Sequence, residues 1–135
     1  LYTGVRVLAA GNVLGIYPEG TRSPDGKLYR GHTGVARMAL AAEATVIPVA
    51  ICGTRDVSPA GKTVPRVKRV SVEIGKPLDF SRYEGMGDDR FVLRSMTDEI
   101  MYEIMALSDQ EYSDMYASRA KKLLSERDET TSPVT

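Results

Sequence analysis

Seven consecutive residues, Tyr17-Pro18-Glu19-Gly20-Thr21-Arg22-Ser23, carry most of the chemistry that this sequence offers. Gly20 lets a backbone approach a ligand closely. Thr21 and Ser23 supply hydroxyls, and Arg22 presents a rigid fork of donors suited to a phosphate. Lys27 and Arg30 add positive charge if the following loop folds back. A plainer reading of the same stretch is an ordinary turn with a surface arginine and a capping serine. His32 is the single histidine and Cys52 the single cysteine. A Ser-His-Asp or Cys-His arrangement would therefore have to use His32, an internal disulfide is excluded, and no zinc-ligand spacing is present. Cys52 ends an apolar run and reads as a small buried residue.

Local patterns predict the elements that must position these residues. Residues 5–10 read as a helix end stopped by Gly11-Asn12. Residues 13–17 form a short apolar run consistent with a buried strand that Pro18 ends. The motif would then sit at the carboxyl end of a sheet, where open α/β folds bind ligands. Residues 18–30 are loop, with Asp25-Gly26 as a tight turn. The alanine-rich stretch 34–42 predicts a helix packed closely on a sheet, and 45–52 a second buried strand. Pro48 inside it marks an edge, a bulge or a site position. Residues 69–75 alternate as a strand with one more exposed face. Asp88-Asp89 can cap a long helix whose Leu93, Met96, Ile100, Ile104 and Leu107 form one apolar stripe. Ser108-Asp109 breaks it, a weaker helix covers 111–126, and 128–135 is expected to be a disordered tail. The order strand, helix, strand, strand, helix indicates an α/β fold with a mixed, partly parallel sheet flanked by helices.

With 135 residues and 42% hydrophobic content, the chain suits one domain or a large piece of one. It lacks the long apolar run of a membrane-spanning helix and the start of a signal peptide. Its first residue is Leu1, which raises the expectation of a partial or processed chain. Charge is unevenly spread. Residues 1–83 hold 12 Lys/Arg against 6 Asp/Glu, and residues 84–135 hold 6 against 12. A small anion is thus expected to prefer the first part. The basic residues there are dispersed and not interleaved with aromatics, which argues against nucleic-acid binding. Met96, Met101, Met105 and Met115 fall on predicted helices and read as packing residues.

The run from Tyr17 to Ser23 resembles the phenylalanine/tyrosine-Pro-Glu-Gly-Thr-Arg-Ser block of the glycerolipid acyltransferases, which include the 1-acylglycerol-3-phosphate acyltransferases. The family's next block, an apolar strand containing proline, resembles Val46-Ile47-Pro48-Val49-Ala50-Ile51, and the basic loop and alanine-rich helix between the two also fit. Two ordered blocks with a matching connection are more specific than one. The likeness covers roughly residues 1–76.

The resemblance implies a glycerol-phosphate acyltransferase-like fold, here an incomplete domain. Residues 1–83 would be its acceptor-binding part and 84–127 its C-terminal helices. It implies acyl transfer from acyl-CoA or acyl carrier protein to the free hydroxyl of a lysophospholipid, with no bound cofactor and no metal. Glu19, Gly20, Thr21, Arg22 and Ser23 would bind the acceptor, Arg22 holding its phosphate, with Lys27, Arg30, His32 and Pro48 as secondary contributors. The family's base lies in a His-x4-Asp block upstream of the motif. Here His32 lies downstream and the residue five further on is Arg37. No catalytic residue is therefore assigned in this chain, and the chain alone is expected to be inactive. A peripheral position on the cytoplasmic side of a membrane follows from the amphiphilic acceptor. The alternative is a non-catalytic module that binds an anionic lipid or phosphometabolite. A third reading is a partner protein docked through its acidic, methionine-bearing helices.

Overall fold

The computed structural model describes residues 1–58 and 63–131. Its organising element is α4, Arg90–Ser108. The Asp89 carboxylate accepts hydrogen bonds from the amides of Phe91 and Val92, at 2.9 and 3.2 Å, and so caps the helix start. The predicted stripe faces inward: Leu93, Met96 and Ile100 are buried, as is Met101 beside them. Full burial of such a side chain stabilises the fold by roughly 1.5–3 kcal/mol. The helix stops where Asp109 takes a left-handed conformation, its amide bonded to the Met105 carbonyl at 2.9 Å.

Helix α2, Gly34–Ala41, packs on α4 through Val35, Ala36 and Ala39, and Phe80 closes the same cluster. The small alanines let the two helices approach closely. Helix α1, Tyr2–Ala9, packs on α2, and its chain reverses at Gly11 with φ of +81°. Two two-stranded ladders complete the architecture. Strands β2 (Val49–Cys52) and β3 (Ser71–Ile74) pair antiparallel with Ala50 opposite Glu73, and a Val46–Leu78 bridge extends them. Strands β1 (Leu28–Tyr29) and β4 (Tyr112–Ser113) pair parallel. The mixed α/β class with parallel pairing and flanking helices is thus present. Short helix α3, Thr54–Val57, follows β2 after Gly53, and a 3-10 turn spans Ser81–Tyr83. Helix α5 spans Ala117–Thr131.

Several expectations are corrected. Residues 13–17 form no strand, and Val13 and Tyr17 are 96% and 77% exposed. A strand needs a neighbour's amides and carbonyls, and no ladder partner meets this segment among the described residues. Residues 45–52 are not buried on both faces. Pro48 and Ala50 are buried, while Ile47, Val49 and Ile51 alternate outward, because α4 covers one face of β2. Strand β3 is exposed on both faces. The stretch 111–126 is not one helix, since its first residues form β4, and α5 then continues through Thr131 into the expected tail. Residues 132–135 lie outside the described residues. No helix among the described residues is long and apolar enough to cross a membrane.

Candidate functional site

The motif forms a tight loop. Gly20 has φ of +70°, and its amide bonds the Tyr17 carbonyl at 3.0 Å. That conformation strains any residue with a Cβ. His32 lies across the loop with its amide on the Pro18 carbonyl at 2.8 Å, so the loop's two ends are tied to each other. A Cβ on Gly20 would lie 3.2 Å from the His32 ring.

Glu19 anchors the loop and does not project from it. Its carboxylate accepts the Tyr29 amide at 2.8 Å. Burial raises its pKa, and that backbone bond partly offsets the rise. Thr21, by contrast, is exposed, and its hydroxyl accepts a hydrogen bond from Lys121 at 2.6 Å. Arg22 is exposed as well, with one guanidinium nitrogen on the Ser58 carbonyl at 2.8 Å. A guanidinium has five N–H donors, and no other hydrogen bond of Arg22 is made among the described residues. The residue is thus held at one end with donors to spare.

Ser23 belongs to the turn. Its hydroxyl accepts the Gly26 amide at 2.9 Å and donates to Asp25 at 3.3 Å. Burial pushes the Asp25 carboxyl up, but hydrogen bonds from the Lys27 amide, the Tyr29 hydroxyl and Ser23 outweigh it and hold the group below its ordinary value. Buried Tyr29 donates to Asp25 at 2.9 Å, and burial together with that bond pushes its phenol up to about 12. Arg55, after the left-handed Gly53, donates to the Asp25 carbonyl and ties α3 to the same turn.

The C-terminal segment, in which sequence reasoning found no site, grips this loop along its length. Gln110 donates to the Gly26 carbonyl at 2.8 Å. Lys27 pairs with Glu111 at 2.8 Å, which raises the lysine's pKa through the hydrogen bond and the opposite charge. Strand β4 pairs with β1, and the Arg30 amide bonds the Met115 carbonyl at 3.0 Å. Arg30 lies 3.8 Å from Asp114, and its guanidinium sits over the Tyr116 ring. The same ring stacks on His32 at 4.5 Å between centroids and 7° between planes. Helix α4 supports the loop from behind, Arg94 donating to the Gly31 carbonyl at 2.8 Å. A two-residue strand such as β4, Tyr112–Ser113, leaves no periodic signal in the sequence.

The structure therefore gathers Glu19 to Ser23, Lys27, Arg30 and His32 around one loop. Lys27 is neutralised there by Glu111, and Pro48 packs in the sheet, its carbonyl accepting the Gly75 amide at 2.8 Å. A cleft of about 310 Å³ lies nearby, lined by Asp98, Tyr102, Met105, Tyr112 and Asp114 and not by the motif. Among the described residues no group of His, Cys, Asp or Glu could hold a metal ion.

The loop lies within the part of the chain that matches a known family. The profile of the Acyltransferase family matches residues 1–52, a span that ends just past the second sequence block. The chain is similar in structure to the 1-acyl-sn-glycerophosphate (LPA) acyltransferase PlsC from Thermotoga maritima, with a TM-score of 0.56 and 28% identity, over 78% of this chain and 44% of that one. The chain thus spans less than half of that protein. No curated protein matches the sequence. With the ordered motif, these likenesses relate residues 1–52 to the Acyltransferase family and the fold to that of a glycerolipid acyltransferase.

Proposed function

We propose that this chain is the acceptor-binding part of an enzyme that transfers an acyl group to a lysophospholipid such as 1-acyl-glycerol-3-phosphate. The observation that carries the reading is the held loop. Glu19 is turned inward onto the Tyr29 amide, while Thr21 and Arg22 are exposed with hydrogen-bonding capacity left over. Such a loop offers a phosphate a hydroxyl and a two-point cation from a rigid base, and positioning is a large part of what acyl transfer requires.

In the proposed reaction a base takes the proton of the acceptor hydroxyl. The oxygen attacks the thioester carbonyl of acyl-CoA or acyl carrier protein, the carbon–sulfur bond breaks, and the thiolate leaves to be protonated. His32 is a poor base for this step. Its ring stacks on Tyr116, and among the described residues no carboxylate bonds it to orient it as a base. We assign the base to a segment that precedes this chain in the full protein. The same reading puts the protein on the cytoplasmic membrane surface, where its acceptor resides. The alternative, a non-catalytic anion-binding module, draws on the lack of a His-x4-Asp block here.

The deciding experiment compares the full-length protein with the 135-residue chain in acyl transfer from acyl-CoA to lysophosphatidate. The enzyme reading expects phosphatidate from the former and none from the latter.

A further inference from the structure

We infer that Lys121, on α5, is a second cation of the phosphate site, so the acidic C-terminal part supplies a binding residue as well as a clasp. The inference rests on the acceptor-site reading above and deepens it. Lys121 lies 100 residues from Thr21, yet its ammonium donates to the Thr21 hydroxyl at 2.6 Å. A hydroxyl accepts two hydrogen bonds and donates one, so Thr21 keeps its own proton for a ligand oxygen. An ammonium has three donors, of which this contact uses one.

Several cations around this face are paired with carboxylates: Lys27 with Glu111, Arg30 with Asp114, Arg94 with Asp98 and Lys122 with Glu126. Among the described residues no carboxylate lies within ion-pair distance of Lys121, and none within that distance of Arg22. Lys121 reaches the Thr21 hydroxyl, and Arg22, the next residue of the loop, is held on the Ser58 carbonyl with donors left over, so one short stretch of the loop carries two cations without a carboxylate partner among the described residues. This is the arrangement a phosphate monoester, with its two negative charges, would complete.

The position of Lys121 is built, not incidental. Ala117 and Ala120 are buried against Tyr29, Met115 packs on the same cluster, and Tyr116 stacks on His32. These contacts fix the first turn of α5 over the loop and so fix which residue reaches Thr21. Lys122, one position further on, is turned to Glu126.

The test is direct binding to the 135-residue chain, followed by calorimetry. The probes are inorganic phosphate, a short-chain lysophosphatidate below its micelle concentration, and the matching monoacylglycerol without phosphate. The variants are Lys121→Ala, Lys121→Arg and Lys122→Ala. Lys121→Ala should weaken both phosphate-bearing probes roughly 10-fold, as expected for losing one charge-assisted contact at an exposed site. Lys121→Arg should stay within about 3-fold of the parent, and Lys122→Ala should match it. Weak phosphate binding with strong lysophosphatidate binding would mark the lipid headgroup as the source of the anion. The inference fails if the parent chain binds neither phosphate probe, if Lys121→Ala binds like the parent, or if Lys121→Ala and Lys122→Ala weaken binding equally. Lys121-dependent binding without acyl transfer by the full-length protein would sink the enzyme reading and leave this site standing.

Discussion

Replacing Gly20 by alanine probes whether the loop is built as described, because the substitution carries two separable costs. The first is backbone strain: φ is +70°, and the left-handed region costs an L-residue about 1–2 kcal/mol. The second is contact. The new Cβ would lie 3.2 Å from His32 Cδ2 and 3.6 Å from Nε2, closer than carbon atoms prefer. His32 cannot simply swing aside, since its amide is on Pro18 and its ring is stacked on Tyr116. That adds roughly 0.5–1 kcal/mol, the scale of a mild overpacking or off-rotamer shift. The sum is about 1.5–3 kcal/mol, or roughly 6–12 °C in Tm for a chain of this size. Gly11 is the internal control: its φ is +81°, but a Cβ there meets nothing within 4 Å. Gly11→Ala should show the strain alone. In a His32→Ala background the cost of Gly20→Ala should fall to the Gly11→Ala value, a double-mutant cycle readable by reversible thermal or urea unfolding. Equal costs at Gly20 and Gly11 in the parent chain, or no change on removing His32, would refute the placement of His32 over the loop.

Tyr29→Phe removes the hydroxyl that donates to Asp25 at 2.9 Å and should cost about 1 kcal/mol near neutral pH, the charged-acceptor value discounted for the partial exposure of Asp25. The Asp25 carboxyl sits below its ordinary value in the fold, so its contribution is complete above that value and lost as pH falls through the folded one; urea titrations should show the Tyr29→Phe deficit shrinking in acid. At Arg22, truncation to alanine in the full-length protein should lower kcat/KM for the phosphorylated acceptor roughly 10- to 150-fold. Arg22→Lys should recover little of that loss, because lysine lacks the two-point fork, and the KM for the acyl donor should move little in either variant.

Where a local pattern was enough, the sequence was readable. The stripe from Leu93 to Leu107 and the Asp89 cap define α4, and the alanines of 34–42 define α2, because each signal lies within a few turns of one helix. The Asp25-Gly26 turn was readable for the same reason, Gly26 having φ of +88°. Pairing between distant residues was not. Leu28 finds Tyr112, Lys27 finds Glu111 and Thr21 finds Lys121 only because α4 returns the chain to the loop. The same dependence explains residues 13–17, whose composition suits a strand but which meet no ladder among the described residues. The opposite net charges of the two parts pointed to the first as the anion site. In the fold, Glu111 and Asp114 of the second part face Lys27 and Arg30 of the first, and the second part contributes an unpaired lysine of its own.

The central claim is that this loop presents a lysophospholipid acceptor to an acyl thioester, with the base supplied from outside the 135 residues. Its most direct test incubates the purified full-length protein, and separately the folded 135-residue chain, with labelled acyl-CoA and lysophosphatidate, and separates the lipid products. The account predicts labelled phosphatidate from the full-length protein, with one free thiol released per ester formed, and no ester from the chain alone. Turnover by the chain alone, abolished by His32→Ala, would contradict the assignment of the base. Thiol release without ester, or no product from a full-length protein that binds both substrates, would contradict the acyltransferase reading itself.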